Sequence, residues 1–230
     1  MIEIRKFDSL GHADHGWLDA HHHFSFASYH DPDRMGWGRI RVWNDDRIAG
    51  KSGFPPHPHR DMEIITYVRT GAITHQDSMG NKGRTAAGDV QVMSAGTGVV
   101  HAEYNLEDED TTLFQIWVET DRPSAQPAWG AMPFPKESRE GSFQLLASGD
   151  SDDGALTINA DARVLGATVK SGESIAYEAD PARHVYLVAS GKVRVNGEAA
   201  NPRDGIAITG ERDVTIEADE DAELVLVDAR

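Results

Sequence analysis

No cysteine occurs in the 230-residue chain. That absence removes disulfides, thiolate nucleophiles and cysteine-bound zinc together. Basic residues are also scarce: 22 Lys and Arg stand against 38 Asp and Glu, for a formal net charge of −16. Nucleic-acid backbones and anionic membrane surfaces are gripped by clustered Lys and Arg, so neither is expected as a direct partner. No stretch approaches the ~18 consecutive apolar residues of a membrane helix. The opening Met1-Ile2-Glu3-Ile4-Arg5-Lys6 also lacks the apolar centre of a signal peptide, which makes a soluble, cytoplasmic protein the expectation. Histidine, by contrast, is plentiful. There are eleven, ten of them at or before His101. Any chemistry must therefore be carried by imidazole and carboxylate.

At about 150 residues per domain, the length suits one large domain or two small ones. Apolar segments are short, rich in β-branched and aromatic residues, and bounded by Gly, Asp, Asn or Ser. Ile64-Ile65-Thr66-Tyr67-Val68, Val90-Gln91-Val92-Met93 and Leu113-Phe114-Gln115-Ile116-Trp117-Val118 are examples. This is a strand signature, with no sustained helical period, and it predicts an all-β protein. Pro123, Pro127, Pro133 and Pro135 crowd one stretch that reads as a connector, because proline cannot donate to a strand ladder. A second series of strands follows, and the halves share local shapes. Tyr67-Val68-x-x-Gly71 is answered by Tyr186-Leu187-Val188-x-x-Gly191, and Gly88-Asp89-Val90 by Asp204-Gly205-Ile206. Two tandem β-barrels are predicted, over 1–122 and 143–230, joined by a connector at 123–142.

The chemistry-bearing strings are His57-Pro58-His59 and His101-Ala102-Glu103. Residues two apart project from one face of an extended chain, so each pair is co-facial. On facing strands, the pairs would present three imidazoles and one carboxylate to a single point. That donor set suits Fe(II), Mn, Ni, Co, Cu or Zn and leaves coordination positions open. Glu63, four residues beyond His59, has the same parity and stays open as an alternative carboxylate.

Several longer strings resemble the pirin family of bicupins. They are Gly53-Phe54-Pro55-Pro56-His57-Pro58-His59 with Glu63, Gln76-Asp77-Ser78-Met79-Gly80-Asn81, and Gly88-Asp89-Val90 running on through Gly96-Thr97-Gly98-Val99-Val100-His101-Ala102-Glu103. His23-Phe24-Ser25-Phe26-Ala27 and Gly38-Arg39-Ile40-Arg41-Val42-Trp43-Asn44-Asp45-Asp46 are similar to bacterial members. The resemblance implies two cupin barrels of jelly-roll type with one mononuclear metal, usually iron, in the first. It implies His57, His59, His101 and Glu103 as ligands, with Glu63 behind the metal or facing substrate. Arg60-Asp61-Met62 departs from the glycine and aromatic residue that many pirins carry there, so the cavity mouth is expected to differ. Counting back from Gly191 as from Gly71 places Tyr177, Ala179 and Arg183 at the positions of His57, His59 and Glu63. No metal is therefore expected in the second barrel.

Some pirin-like proteins open the flavonol ring of quercetin with O2. The resemblance thus implies an iron-dependent oxidoreductase acting on a small aromatic, flavonol-like substrate, with Glu103 or Glu63 taking the substrate's hydroxyl proton. Other pirins are described as cofactors of transcription proteins. This supplies the alternative of a non-catalytic regulatory or redox-sensing metal protein that binds a protein partner. A monomer is expected from the resemblance alone.

Other features are read more plainly. Consecutive His21, His22 and His23 alternate faces and cannot converge on one ion, so a solvated or interdomain edge is expected. His75 with Asp77 reads as a strand end before a turn, and Trp37 and Trp43 as packing residues. Gly96-Thr97-Gly98 has no helix after it to make a phosphate site.

Overall fold

The computed structural model describes all 230 residues and is built almost entirely of strands. The first half contains β1 (Ile2–Arg5), β2 (Gly11–Asp14), β3 (Leu18–His22), β4 (Ile40–Ile48), β5 (Ser52–His59), β6 (Met62–Thr70) and β7 (Ala72–Asp77). It continues with β8 (Lys82–Ala86), β9 (Val90–Ser94), β10 (Val99–Asn105) and β11 (Thr111–Glu119). Then come β12 (Ala128–Met132), a short 3-10 turn at Lys136–Arg139, β13 (Gln144–Ser148), β14 (Leu156–Thr157), β15 (Ala162–Val169) and β16 (Ser174–Glu178). The chain ends with β17 (His184–Ala189), β18 (Val193–Val195), β19 (Glu198–Ala200), β20 (Gly205–Thr209), β21 (Asp213–Ala218) and β22 (Ala222–Ala229). No helix is long and apolar enough to cross a membrane.

The strands form two barrels, each a seven-stranded sheet facing a four-stranded one. The first barrel has orders β12-β9-β6-β11-β4-β3-β2 and β5-β10-β7-β8; the second has β1-β20-β17-β22-β15-β13-β14 and β16-β21-β18-β19. The orders superimpose strand for strand (β9 on β20, β6 on β17, β11 on β22, β5 on β16, β10 on β21), so the duplication hinted at by the two Tyr-x-x-x-Gly strings is a duplication of whole sheets. Gly71 shows why that glycine is needed. It turns β6 into β7 at φ 73°, and an added Cβ would sit 2.4 Å from Thr111 Oγ1.

Two boundaries differ from the expected ones. β1 leaves its own half and pairs antiparallel with β20, Ile2 opposite Ile208. The proline-rich stretch, read as a plain connector, contains β12, which pairs with β9. Its prolines bracket the strand instead of interrupting it, and β12 lies at a sheet edge where few donors are needed. Each barrel is thus completed by a strand from outside the expected range.

The two interiors differ in kind. A cluster of 20 apolar residues fills the second barrel. In the first, apolar packing is split into clusters of six and four, at opposite ends, with polar side chains between them. The largest cluster, 24 residues including Trp43, Tyr67, Phe114 and Tyr186, joins the two large sheets face to face. Trp43 is a packing residue there, and Trp37 packs at its margin with Nε1 donating to the Val185 carbonyl at 3.0 Å. His22 and His23 are buried, so of the two expected settings the solvated edge does not hold for them, while His23 lies at the interdomain one. His22 Nδ1 lies 2.8 Å from Asn44 Oδ1, and His23 Nδ1 lies 2.9 Å from the Tyr186 hydroxyl across the domain boundary.

Candidate metal centre

β5 is an edge strand, as Pro55, Pro56 and Pro58 require. It runs antiparallel to β10, placing His57 opposite His101. The ladder then slips by one residue, so that Glu103 faces Phe54. The extra residue falls at the Pro55-Pro56 pair, which cannot supply ladder N–H groups. The ring centroids of His57, His59 and His101 lie 4.5–4.9 Å apart, and one nitrogen from each falls within 4.8 Å of the others. Glu103 lies one step deeper, within that reach of His101 and His75.

Hydrogen bonding assigns the ring tautomers. His57 Nδ1 is 2.8 Å from the Pro55 carbonyl, which can only accept, so the proton is on Nδ1 and the Nε2 lone pair is free. On the other side, Asp77 faces His75 Nε2 at 3.0 Å, and His75 Nδ1 faces His101 Nδ1 at 3.3 Å. Burial raises the Asp77 carboxyl, but donors from His75, Asn81 and the Met79 N–H outweigh it and hold the group below its usual range. An ionised Asp77 takes the His75 Nε2 proton. With one proton on each ring, His75 Nδ1 accepts from His101 Nδ1–H and the His101 Nε2 lone pair points at His57. The two lone-pair nitrogens, His57 Nε2 and His101 Nε2, face each other at 3.1 Å. A cation between them, either a proton or a metal ion, is what lets the two nitrogens approach this closely. Burial, then the neighbouring histidines, pushes His101 down to about 2, and burial with His57 pushes His59 down to about 4, so both rings keep lone pairs for a metal.

Glu103 is buried and pinned. Oε1 accepts from Gln91 Nε2 at 2.6 Å and Thr66 Oγ1 at 3.3 Å, and Oε2 accepts from Gln115 Nε2 at 2.7 Å. Burial raises its carboxyl above the usual range. Glu63 is different. Its Oε2 accepts from Ser94 Oγ, and it also bonds Asn159 and Thr120 at the boundary between the barrels. On β6, Thr66 shares the barrel interior with Glu103, and Glu63 projects from the opposite face. The parity argument failed because Asp61 turns the chain between β5 and β6 at φ 48°, so face alternation does not carry across. Glu63 therefore neither joins the histidines nor faces their cavity.

The aromatic flank of the centre comes from Trp117, edge-on to His59 at 5.0 Å, Phe54 at 6.2 Å from His57, and Phe26 at 5.4 Å from Trp117. In the second barrel, Tyr177 and Val214 pair where His57 and His101 pair in the first, and both belong to its apolar core. Nothing there offers a comparable donor set.

Sequence reasoning missed His75, which read as a strand end, along with Gln91, Gln115 and Trp117. Gln115 and Trp117 carried a usable signal, two apart on β11 with the inward-facing Leu113. His75→Phe, which keeps the flat stack on Trp129 (4.9 Å, 11°), is expected to weaken divalent-metal affinity about 10–100-fold. Competition titration against a chelating indicator measures it; unchanged affinity would show that Asp77 and His75 do not act on His101.

The chain is similar to known proteins along both barrels. The family model described as Pirin matches residues 3–118, and the Quercetinase C-terminal cupin domain matches 145–229. A pirin-like protein of Caulobacter vibrioides is 64% identical over 231 residues, covering 100% of both chains. A quercetin 2,3-dioxygenase of Escherichia coli is 43% identical over 230 residues, covering 99% of this chain and 98% of that one. The crystal structure of the bacterial pirin YhhW from Escherichia coli in complex with nickel(II) has a TM-score of 0.93 at 42% identity, covering 100% of this chain and 99% of that one. With matches spanning both barrels, the chain belongs to the pirin family.

Proposed function

We propose that this protein is a metal-dependent oxidoreductase that opens flavonol-like substrates with O2, using one divalent ion, Fe(II) first, held by His57, His59, His101 and Glu103. The observation that carries this reading is the convergence of one nitrogen each from His57, His59 and His101 within 4.8 Å, with His57 and His101 each held by a hydrogen bond on its far side. A divalent ion in that position supplies Lewis acidity for an enolate oxygen and a route for electrons to O2. The residues do the rest. Gln91, Gln115 and Thr66 hold Glu103 in one orientation, and its carboxylate is the group beside the histidines that can take the substrate hydroxyl proton. Trp117, Phe54 and Phe26 give an aromatic substrate faces and edges to pack on. Glu63, turned to the domain boundary, has no part.

Protein loaded anaerobically with Fe(II) is expected to consume O2 when given quercetin, with loss of the flavonol absorbance. No flux above free-metal controls with iron, nickel, copper or manganese would overturn the enzyme reading for that substrate. A protein that binds the ion tightly yet turns nothing over would then fit the regulatory alternative.

A further inference from the structure

The β2–β3 hairpin carries a second group of metal-ligating side chains, outside the centre described above. His12 and His21 stand directly opposite each other in the antiparallel register, their rings stacked 4.5 Å apart. Asp19 lies two residues before His21 and so shares its face of β3. Asp19 Oδ1 is 2.8 Å from His12 Nε2 and 3.7 Å from His21 Nδ1, and the three atoms fall within 4.8 Å of one another. Ligand atoms about 2.0–2.2 Å from a tetrahedral zinc ion stand roughly 3.4 Å apart, so these separations need little adjustment to close on an ion.

Two further observations point the same way. His21 Nδ1 is buried without a hydrogen-bond partner, an uncompensated polar atom that a cation would satisfy. Arg47 Nη2 sits 3.5 Å from Asp19 Oδ2, which occupies that oxygen and leaves Oδ1 turned to the histidines. His12 is exposed, so a hydrated ion can reach the group and keep water in a fourth position. The histidine tract therefore does supply a donor to a shared point, through the strand opposite it and not through its own neighbours.

We infer that His12, Asp19 and His21 form a second divalent-metal site. Two imidazoles and one carboxylate select borderline transition ions such as Zn(II), Ni(II) or Cu(II) over Ca(II) or Mg(II). The site would tie the edge strand β2 to β3. It also lies beside the corner where the second barrel docks, since the Phe7 ring packs 4.2 Å from His21 and Arg203 lies 4.0 Å over Phe7.

The test is equilibrium dialysis against Zn(II), followed by elemental analysis, in the His57→Ala/His101→Ala background that disables the barrel centre. That variant is expected to bind one zinc per chain and to show a zinc-dependent rise in Tm. Adding the exposed substitution His12→Gln should abolish both. The inference is overturned if the background variant binds no zinc, or if zinc and the Tm rise survive both His12→Gln and His12→Gln/Asp19→Asn. Wild-type stoichiometry separates this site from the first: two zinc per chain if both exist, and one, lost with His12→Gln, if only the hairpin binds.

Discussion

Alanine at both His57 and His101 is expected to strip the barrel of its bound ion while changing the stability of the metal-free protein comparatively little. The first half follows from removing two of the donors, including the one that Asp77 and His75 orient. The loss should exceed the about 10–100-fold expected for an outer hydrogen-bond partner. The second half is the sharper test. Removing them breaks the His57–Pro55 and His101–His75 hydrogen bonds and opens space at the buried His101, which by itself lowers stability. Against that cost, alanine at both positions removes two ring nitrogens held 3.1 Å apart across the edge strand β5 and its neighbour β10, an approach that is strained whenever neither nitrogen carries a proton. With metal present the wild type is clearly the more stable. An ion at a thousandfold excess over its Kd stabilises the folded state by about 4 kcal/mol, roughly 8–16 °C in Tm for a chain of this size. Fe(II) retained after desalting and thermal scans with and without the ion measure both effects. An apo double variant several degrees less stable than the apo wild type would return the histidines to a structural role.

How much of this was legible beforehand depended on whether the signal lay within one strand. The pairs His57/His59 and His101/Glu103 were readable because face alternation has a period of two and each pair sits in a single strand. Glu63 was misplaced because its parity was carried through the turn at Asp61 into a different strand. His75 was discounted because its importance lies in the register of β7 against β10, where His101 faces Asp77 and Glu103 faces His75. The His12–His21 pairing has the same origin, since a hairpin register brings them together. β1 was assigned to the wrong barrel because Ile2-Glu3-Ile4-Arg5 states that it is a strand and says nothing about a partner some two hundred residues away. Composition and period announce elements; which elements become neighbours is a property of the whole sheet.

Arg139→Met is expected to be the most destabilising single change at the domain boundary, with a loss of about 3 kcal/mol. Arg139 comes from the turn between the barrels and is fully buried. Its Nη2 donates to the Tyr67 hydroxyl at 2.5 Å and to Glu223 Oε1 at 3.1 Å, joining β6 of one barrel to β22 of the other. Tyr67 also donates to Glu223, and Lys136 Nζ reaches Glu223 Oε2 at 2.9 Å. Burial, then the Glu223 charge, pushes the Tyr67 hydroxyl well above the usual tyrosine range, so it remains a donor. The space for the guanidinium depends on Gly166, where an added Cβ would lie 2.9 Å from Arg139 Nη1. Methionine keeps most of the packing stem and removes the charge, leaving Glu223 with the neutral Tyr67 hydroxyl and Lys136 as its one cation, and the half-exposed lysine compensates only partly. Breaking one side of a buried pair costs about 3–5 kcal/mol, whereas replacing both charged partners with apolar groups is often close to neutral. Arg139→Met/Glu223→Leu should therefore recover much of the loss, and urea unfolding of the two single variants and the double variant measures the coupling. A loss below about 1 kcal/mol for Arg139→Met, typical of exposed pairs, would mean that the apolar faces of the two large sheets hold the barrels together without it.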